Sequence, residues 1–431
     1  MVRVSFTNFI AQNTQLFLHN NVGNKLKPKL DEIKKKIIES HHRNHISISD
    51  SENLYFTVKV GIKYSEEYNL FRETLNVVNF IHDLDIKGYK IIIEDSFDVY
   101  GKDIFEINFN NCIFKKEIRL ISCNFLDNVS FMNCEFKECL DLNNSKFKEN
   151  IRFHDSIFHQ SSFFENTTFN KLVDFYRAKF IENQQFHLTD FLDRAIFSNV
   201  IFKKQIQFLY NRVNPSTIIS FENAEFLSAL DISRSNFKCQ LHFWNTKVND
   251  EPKEYWLYSS DSITKEELNI NEALKRMRES FRIIKNELKV SGNIINSLEF
   301  HKSEMQIYHR ELKEFKGSNW SDRIILKFSE ISNNYGTKWQ KGLTFTLLSG
   351  LIFYILFLIL ISNNLQFELS KESIGKTLKH YFEFLNVTNW NFKPFGISDF
   401  SYAYVILFVG KIFIGYGYFQ TIQAFRKYGK N

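Results

Sequence analysis

The residues best suited to chemistry in this sequence are few. Cys112, Cys123 and Cys134 return at intervals of eleven, and three thiolates could hold a soft metal such as zinc. A local zinc site usually takes its first ligands from residues roughly two to four apart. A spacing of eleven sets each thiol on a separate stretch of chain, so the pattern favours buried structural thiols. His41, His42 and His45, in HHRNH, could bind a metal through imidazole, but this polar run reads as a solvated linker between elements. Lys411 stands alone in an otherwise apolar C-terminal segment, where an ammonium must face a pore or pair within a helix bundle. No nucleophile–base pair, glycine-rich phosphate loop or HExxH spacing occurs, so the sequence predicts no enzyme, no metal and no cofactor.

The elements that must position these residues follow from the apolar rhythm. The chain has 431 residues, of which 47 are Phe, 15 Gly and only 4 Pro. From residue 109 one bulky apolar side chain returns at alternating gaps of five and six: Phe109, Phe114, Leu120, Phe125, Phe131, Phe136, Leu142, Phe147, Phe153, Phe158. The series runs on through Phe169 and Phe180 to Phe208, slips by two residues around Asn211–Ser216, and resumes at Phe221. Two positions before every second bulky residue the side chain is small: Cys112, Cys123, Cys134, Ser145, Ser156, Thr167, Ala178, Thr189. A helix turning about 100° per residue would scatter such residues over opposite sides, and a straight strand reverses its face at every odd gap. Short strands on several sides of a coil satisfy both facts, which predicts a solenoid.

The units NCIF, SCNF, NCEF, NSKF, DSIF and NTTF resemble the pentapeptide repeat family over residues 105–245. The resemblance implies a right-handed quadrilateral β-helix. One added residue in every second unit lengthens the expected coil to 22 residues and leaves its corner geometry open. Five or six coils at about 4.8 Å each would make a rod of about 25–30 Å. Phe114, Phe125, Phe136, Phe147, Phe158, Phe169 and Phe180 are its expected core. Some members of the family mimic DNA and bind topoisomerase through an acidic surface; a net charge of +6 gives that alternative no support, and nucleic acid is not an expected partner.

Beyond residue 265 the period becomes helical. Ile270, Leu274, Met277, Phe281, Ile284 and Leu288, then Ile294, Leu298, Met305 and Leu312, predict an αα-hairpin broken at Gly292. Trp320, Ile324, Ile325, Phe328 and Ile331 line one face of a predicted interfacial helix. Leu343–Ile361 and Tyr402–Phe419 are the expected membrane spans. The resulting division is an N-terminal α/β cap over 1–104, the β-helix over 105–248, the helical hairpin over 249–317, the interfacial helix over 318–341, and a transmembrane hairpin with a basic tail over 342–431.

The second span contains FIGYG, close to the potassium-channel filter TVGYG. A filter lies between two spans, whereas only fourteen residues follow this one. Gly410, Gly415 and Gly417 read instead as close-packing or hinge positions in a helix. In layout, residues 320–431 resemble the two-transmembrane ion channel family, with Thr388, Asn389 and Trp390 where such a channel keeps its pore loop, but without filter glycines.

No secretory signal is read at the N-terminus, and five cysteines, an odd number, point to reduced thiols in the cytosol. Arg323, Lys327, Lys338 and Lys341 before the first span, with Arg426, Lys427 and Lys430 after the second, place both ends of the chain in the cytosol. The expected protein is a two-pass scaffold of a bacterial inner membrane, engaging the lipid bilayer, an unidentified protein partner and, as a possibility left open, further copies of itself. The alternative is an oligomeric channel gated by its cytosolic portion.

Overall fold

The computed structural model describes residues 2–4, 27–40, 42, 45–50, 54–60, 66–84, 86–250, 256–259, 262–267, 270–314, 320–361, 370–396 and 402–426. The chain divides into two compact units, Met1–Ile283 and Ile284–Asn431.

In the first unit, strand β1 (Val2–Val4) pairs antiparallel with β2 (Ile46–Asp50), and β2 with β3 (Leu54–Val58). Helix α1 (Lys27–Glu39) precedes β2, and α2 (Glu67–His82) links β3 to the parallel strand β4 (Tyr89–Ile93). From β4 onward the chain winds as a coil with four faces. Each lap adds a strand of two to five residues, or a single bridge, to successive faces, and each strand pairs in parallel with the one a lap away. Phe114 thus lies beside Phe136 and Phe136 beside Phe158, at the expected 22-residue interval.

One face carries seven strands, from Ile107–Asn108 to Gln240–His242, against the five or six laps expected. At the usual interstrand spacing that is about 30 Å of rod. The ladder reaches back to β4 at an interval of 21 residues, and it continues past the slip, where Phe202 pairs with Phe226 at 24.

The interior is a set of aromatic columns. Phe125 stacks on Phe147 with centroids 4.2 Å apart, Phe147 on Phe169 at 5.1 Å, and Phe158 on Phe180 at 4.6 Å. All seven expected core phenylalanines are at most 1% exposed. The column is closed at its N-terminal end by α2, whose Phe71 meets Phe97 and Phe109 edge-on at 5.5 and 5.7 Å. At the other end, within the same unit, the Ser280 hydroxyl on α3 (Ile270–Val290) accepts the Ile232 N–H at 3.0 Å.

The corners resolve the geometry that spacing alone left open. Every five-residue gap is a β-turn whose third residue has positive φ: Asn111, Ser122, Asn133, Asn144, Asp155, Asn166, Arg177, Leu188, Asn199 and Tyr210, between 50° and 62°. The fourth residue is the small one, and its N–H bonds the carbonyl of the first, as from Ser156 to Phe153 at 3.1 Å. Its side chain then reaches the neighbouring lap. Ser145 Oγ donates to Leu120 O at 2.8 Å, Ser156 Oγ to Phe131 O at 2.6 Å, and Thr167 Oγ1 to Leu142 O at 2.9 Å. Asn211 does the same at the slip, its Nδ2 donating to Phe186 O at 3.0 Å, whereas an apolar residue leaves that carbonyl without the donor. The extra residue of the six-residue gap sits in the looser, alternate corner.

In the second unit, α4 (Ile294–Glu314) is followed by α5 (Trp320–Asn333), α6 (Trp339–Ile361), α7 (Lys371–Leu385) and α8 (Ala403–Phe425). Gly292, at φ 78°, makes the turn between α3 and α4, and Lys285 pairs with Glu304 across it at 2.7 Å.

Asn tolerates the left-handed region better than any residue but Gly, and a β-branched side chain tolerates it worst. Asn133→Val is therefore expected to destabilise the coil stack by about 1–3 kcal/mol, and Asn133→Gly by less than about 1 kcal/mol. Urea unfolding of the detergent-solubilised chain, followed by far-ultraviolet circular dichroism, checks the order; equal midpoints would contradict it.

Candidate functional site

Two places gather the residues singled out by the sequence: the thiols inside the coil stack and the junction of α6, α7 and α8. The thiols are part of the turn geometry. Cys112, Cys123 and Cys134 each fill the small corner position and are fully buried. Cys134 Sγ lies 3.0 Å from Phe109 O, doing what the Ser and Thr hydroxyls do on later laps. Burial pushes the Cys112 thiol well above its usual pKa and that of Cys134 up to about 12. Cys139, half-exposed, is raised to about 12 by desolvation and by its contact with Glu117. No cluster of three or more His, Cys, Asp or Glu fit to hold a metal is found among the described residues. His42 contacts Glu73 at 3.3 Å, while His41 lies outside the described residues.

The α6–α8 junction is built on small residues. α6 and α8 run antiparallel, with Gly342 against Thr421, Thr346 against Gly417, and Phe353 against Gly410. A Cβ added at Gly410 would lie 2.9 Å from that of Phe353, and one at Gly417 would strike Thr346. Both are close-packing positions that let the two backbones approach. Gly415 is different: its side faces Val387 at an ordinary 3.7 Å. α8 is one continuous helix through all three glycines and through FIGYG.

α7 is set between the pair. Phe384 and Leu385, at its C-terminus, are buried with Tyr354, Phe357, Leu407 and Ile414. Tyr354 and Tyr381 tie it to α6, donating to Thr377 O at 3.0 Å and Leu347 O at 2.8 Å. The terminal carbonyls of a helix lack partners within it and carry the negative end of its dipole. Here α8 supplies the partners. Lys411 donates to Asn386 O, its ammonium 5.8 Å from the Phe384 centroid, and Tyr418 donates to Leu385 O at 3.4 Å. Of the two expectations for Lys411, the structure places it in the bundle, 1% exposed.

Thr388, Asn389 and Trp390 follow directly. Thr388 donates to the Asn386 side chain at 2.8 Å, the Asn389 N–H to Asn386 O at 3.2 Å, and Trp390 is 46% exposed beside Phe408. The expected site thus splits. Lys411 and Gly410 meet the end of α7, Gly417 serves the α6 contact, and the three loop residues form a turn around Asn386.

Sequence reasoning missed Asn333. It is fully buried at the end of α5, donates to Gln420 O at 3.2 Å and Gln423 Oε1 at 3.4 Å, and accepts the Gly336 N–H at 2.8 Å. Asn334, Tyr335 and Gly336 then take positive φ in succession, making the elbow into α6. The signal was legible as NNYG before an apolar run, with two glutamines late in α8. Through these contacts and those of Phe328 with Phe413 and Tyr416, α5 follows the C-terminal half of α8.

Residues 120–166 match the family model described as pentapeptide repeats (9 copies). Over those residues the coils match pentapeptide repeats. No curated protein and no solved structure matches the chain. The pentapeptide-repeat match lies wholly within the coil stack and does not extend to α6 or α8, which are long and apolar enough to cross a membrane.

Two outcomes follow from this geometry. At pH 8 the folded chain should alkylate with iodoacetamide far more slowly at Cys112, Cys123 and Cys134 than after unfolding, because a raised thiol pKa leaves almost no thiolate; peptide mapping reads the sites, and fast labelling of the folded chain would contradict it. Lys411→Glu should lower the melting temperature in detergent more than Lys411→Met. The first sets a carboxylate against the α7 C-terminus, whereas the second leaves Asn386 O its bond from Asn389.

Proposed function

We propose that this chain is a membrane-anchored, non-enzymatic pentapeptide-repeat scaffold, with α6 and α8 spanning the bilayer and the coils presented in the cytosol to a protein partner. The outer surface of the helix pair carries the reading. Both helices have 23 residues, and only a third of the most apolar 18-residue stretch of each is buried. Leu348, Ile352 and Ile359 on α6, with Val405, Ile412 and Phe419 on α8, are 55–61% exposed. A soluble chain rarely leaves so large a continuous apolar surface in water, and 23 residues rise about 34 Å, enough for the hydrocarbon core.

Charge supports the orientation. Lys338 precedes α6, Lys341 lies in its first turn and Arg426 follows α8, all exposed. In the intervening segment Lys376 and Lys379 are paired with Glu372 and Glu383. Counting Lys and Arg alone the bias is modest, and it favours both chain ends in the cytosol.

The second reading is an oligomeric channel, favoured by α7, which occupies the place of a pore helix between two spans. A pore helix offers the negative end of its dipole to a cation. Here that end is already taken by Lys411 and Tyr418, which weighs toward the anchor.

Alkaline carbonate washing of membranes from expressing cells should leave the chain in the pellet, and purified chain in planar bilayers should pass no unitary current. Release into the wash would overturn the anchor; reproducible currents lost in Lys411→Glu would favour the channel.

A further inference from the structure

The two columns of tight corners are not equivalent. In one, Asn111, Asn133, Asp155, Arg177, Asn199, Asn223 and Asn245 follow one another lap by lap, and side chains bond along it. Asn133 Nδ2 donates to Asn111 Oδ1 at 2.7 Å, Arg177 to Asp155 at 2.6 Å, and Asn245 to Asn223 at 2.8 Å. Even where Asn is lost, a polar pair replaces it.

The other column begins the same way. Asn166 Nδ2 donates to Asn144 Oδ1 at 2.9 Å. It then changes to Leu188 and Tyr210, which keep the left-handed backbone at φ 50° and 53°. Bulky side chains are disfavoured there, and these two cannot continue the ladder. Nor are they buried in compensation: Leu188 is 41% and Tyr210 50% exposed.

Tyr210 is nevertheless held. The His187 ring, fixed by Glu165 at 2.9 Å, meets it edge-on at 6.0 Å, and the Arg234 guanidinium lies 5.6 Å from its centroid. Arg234 donates through Nη1 to the Tyr210 hydroxyl at 3.4 Å and has no carboxylate partner among the described residues. Arg212, bonded to Asp190 through Nε at 2.9 Å, keeps its side chain 76% exposed nearby on the adjoining face.

An exposed apolar residue, a preorganised tyrosine and an arginine lacking its anion are the composition of an interface centre. We propose that Leu188, Tyr210 and Arg234 form a docking site for an acidic peptide segment of a protein partner. An apolar side chain of that segment covers Leu188 and Tyr210, and a neighbouring carboxylate accepts from Arg234. The charge selects the occupant: a guanidinium with no carboxylate partner among the described residues calls for one. This site rests on the scaffold reading and gives its partner a chemistry.

The test uses the full chain in detergent and a fluorescein-labelled peptide alternating Glu with Leu, read by anisotropy at low salt. Tyr210→Asn and Arg234→Gln should each weaken binding about ten-fold or more. Leu188→Asn and Tyr210→Asn, which restore the polar column, should leave the circular dichroism unchanged and raise the melting temperature by about 2 °C. A lowered melting temperature would mean that the bulky residues serve the coil itself and would overturn the site. Equal binding of a Lys–Leu peptide or of oligothymidylate would overturn the acidic partner. Glu–Leu binding that ignores all three substitutions would remove the site while leaving the scaffold reading intact. Release from membranes with peptide binding preserved would do the reverse.

Discussion

The coil stack depends on turning the chain sharply every eleven residues without stranding a peptide group. Each tight corner sets one residue in the left-handed region and leaves a carbonyl facing the next lap. The small residue that follows supplies the answer, through a hydroxyl on Ser145, Ser156 and Thr167 or a thiol on Cys134. With the corner settled, the bulky residue two positions on can only point inward, and the rings of successive laps fall into register. Backbone pairing, aromatic stacking and corner chemistry share one period, which is the consistency that lets a sequence of short strands choose one winding.

Much of this was legible beforehand because the period is written in residue size. Alternating five and six gave the faces, the small residues gave the corners, and the slip near Asn211 became the 24-residue lap between Phe202 and Phe226. The left-handed residues were also on view, since Asn occupies most of them. They were passed over because a solvent-exposed Asn looks like ordinary surface. β4 was read as part of the cap and not of the coil because it carries isoleucines where later laps carry Phe, so the turn before residue 105 does not share the lettering of the rest.

The second unit was less legible, for a physical reason. Periodicity reports which face of a helix is apolar but not which neighbour meets it. That α8 would close the end of α7 with Lys411 and Tyr418 depends on a contact between a helix terminus and a side chain a full element away, and no spacing encodes it. Gly410 and Gly417 were identifiable as small, yet the distinction from Gly415 required the antiparallel partner. Asn333 shows the same limit: one polar residue at a helix end becomes a hub only when Gln420 and Gln423 are brought to it.

The closing of the core by α2 at one end bears on how such a rod can change in size. Phe71 is fitted to two particular rings, Phe97 and Phe109, which belong to two of the four faces. A tandem duplication of one complete lap would slide the whole remainder along the axis and keep every face in phase with both ends. Duplicating half a lap would preserve the five-and-six lettering equally well, yet it would rotate everything downstream by half a turn and carry Ile232 away from Ser280. Growth by whole laps is therefore the only increment that both ends of the first unit can absorb.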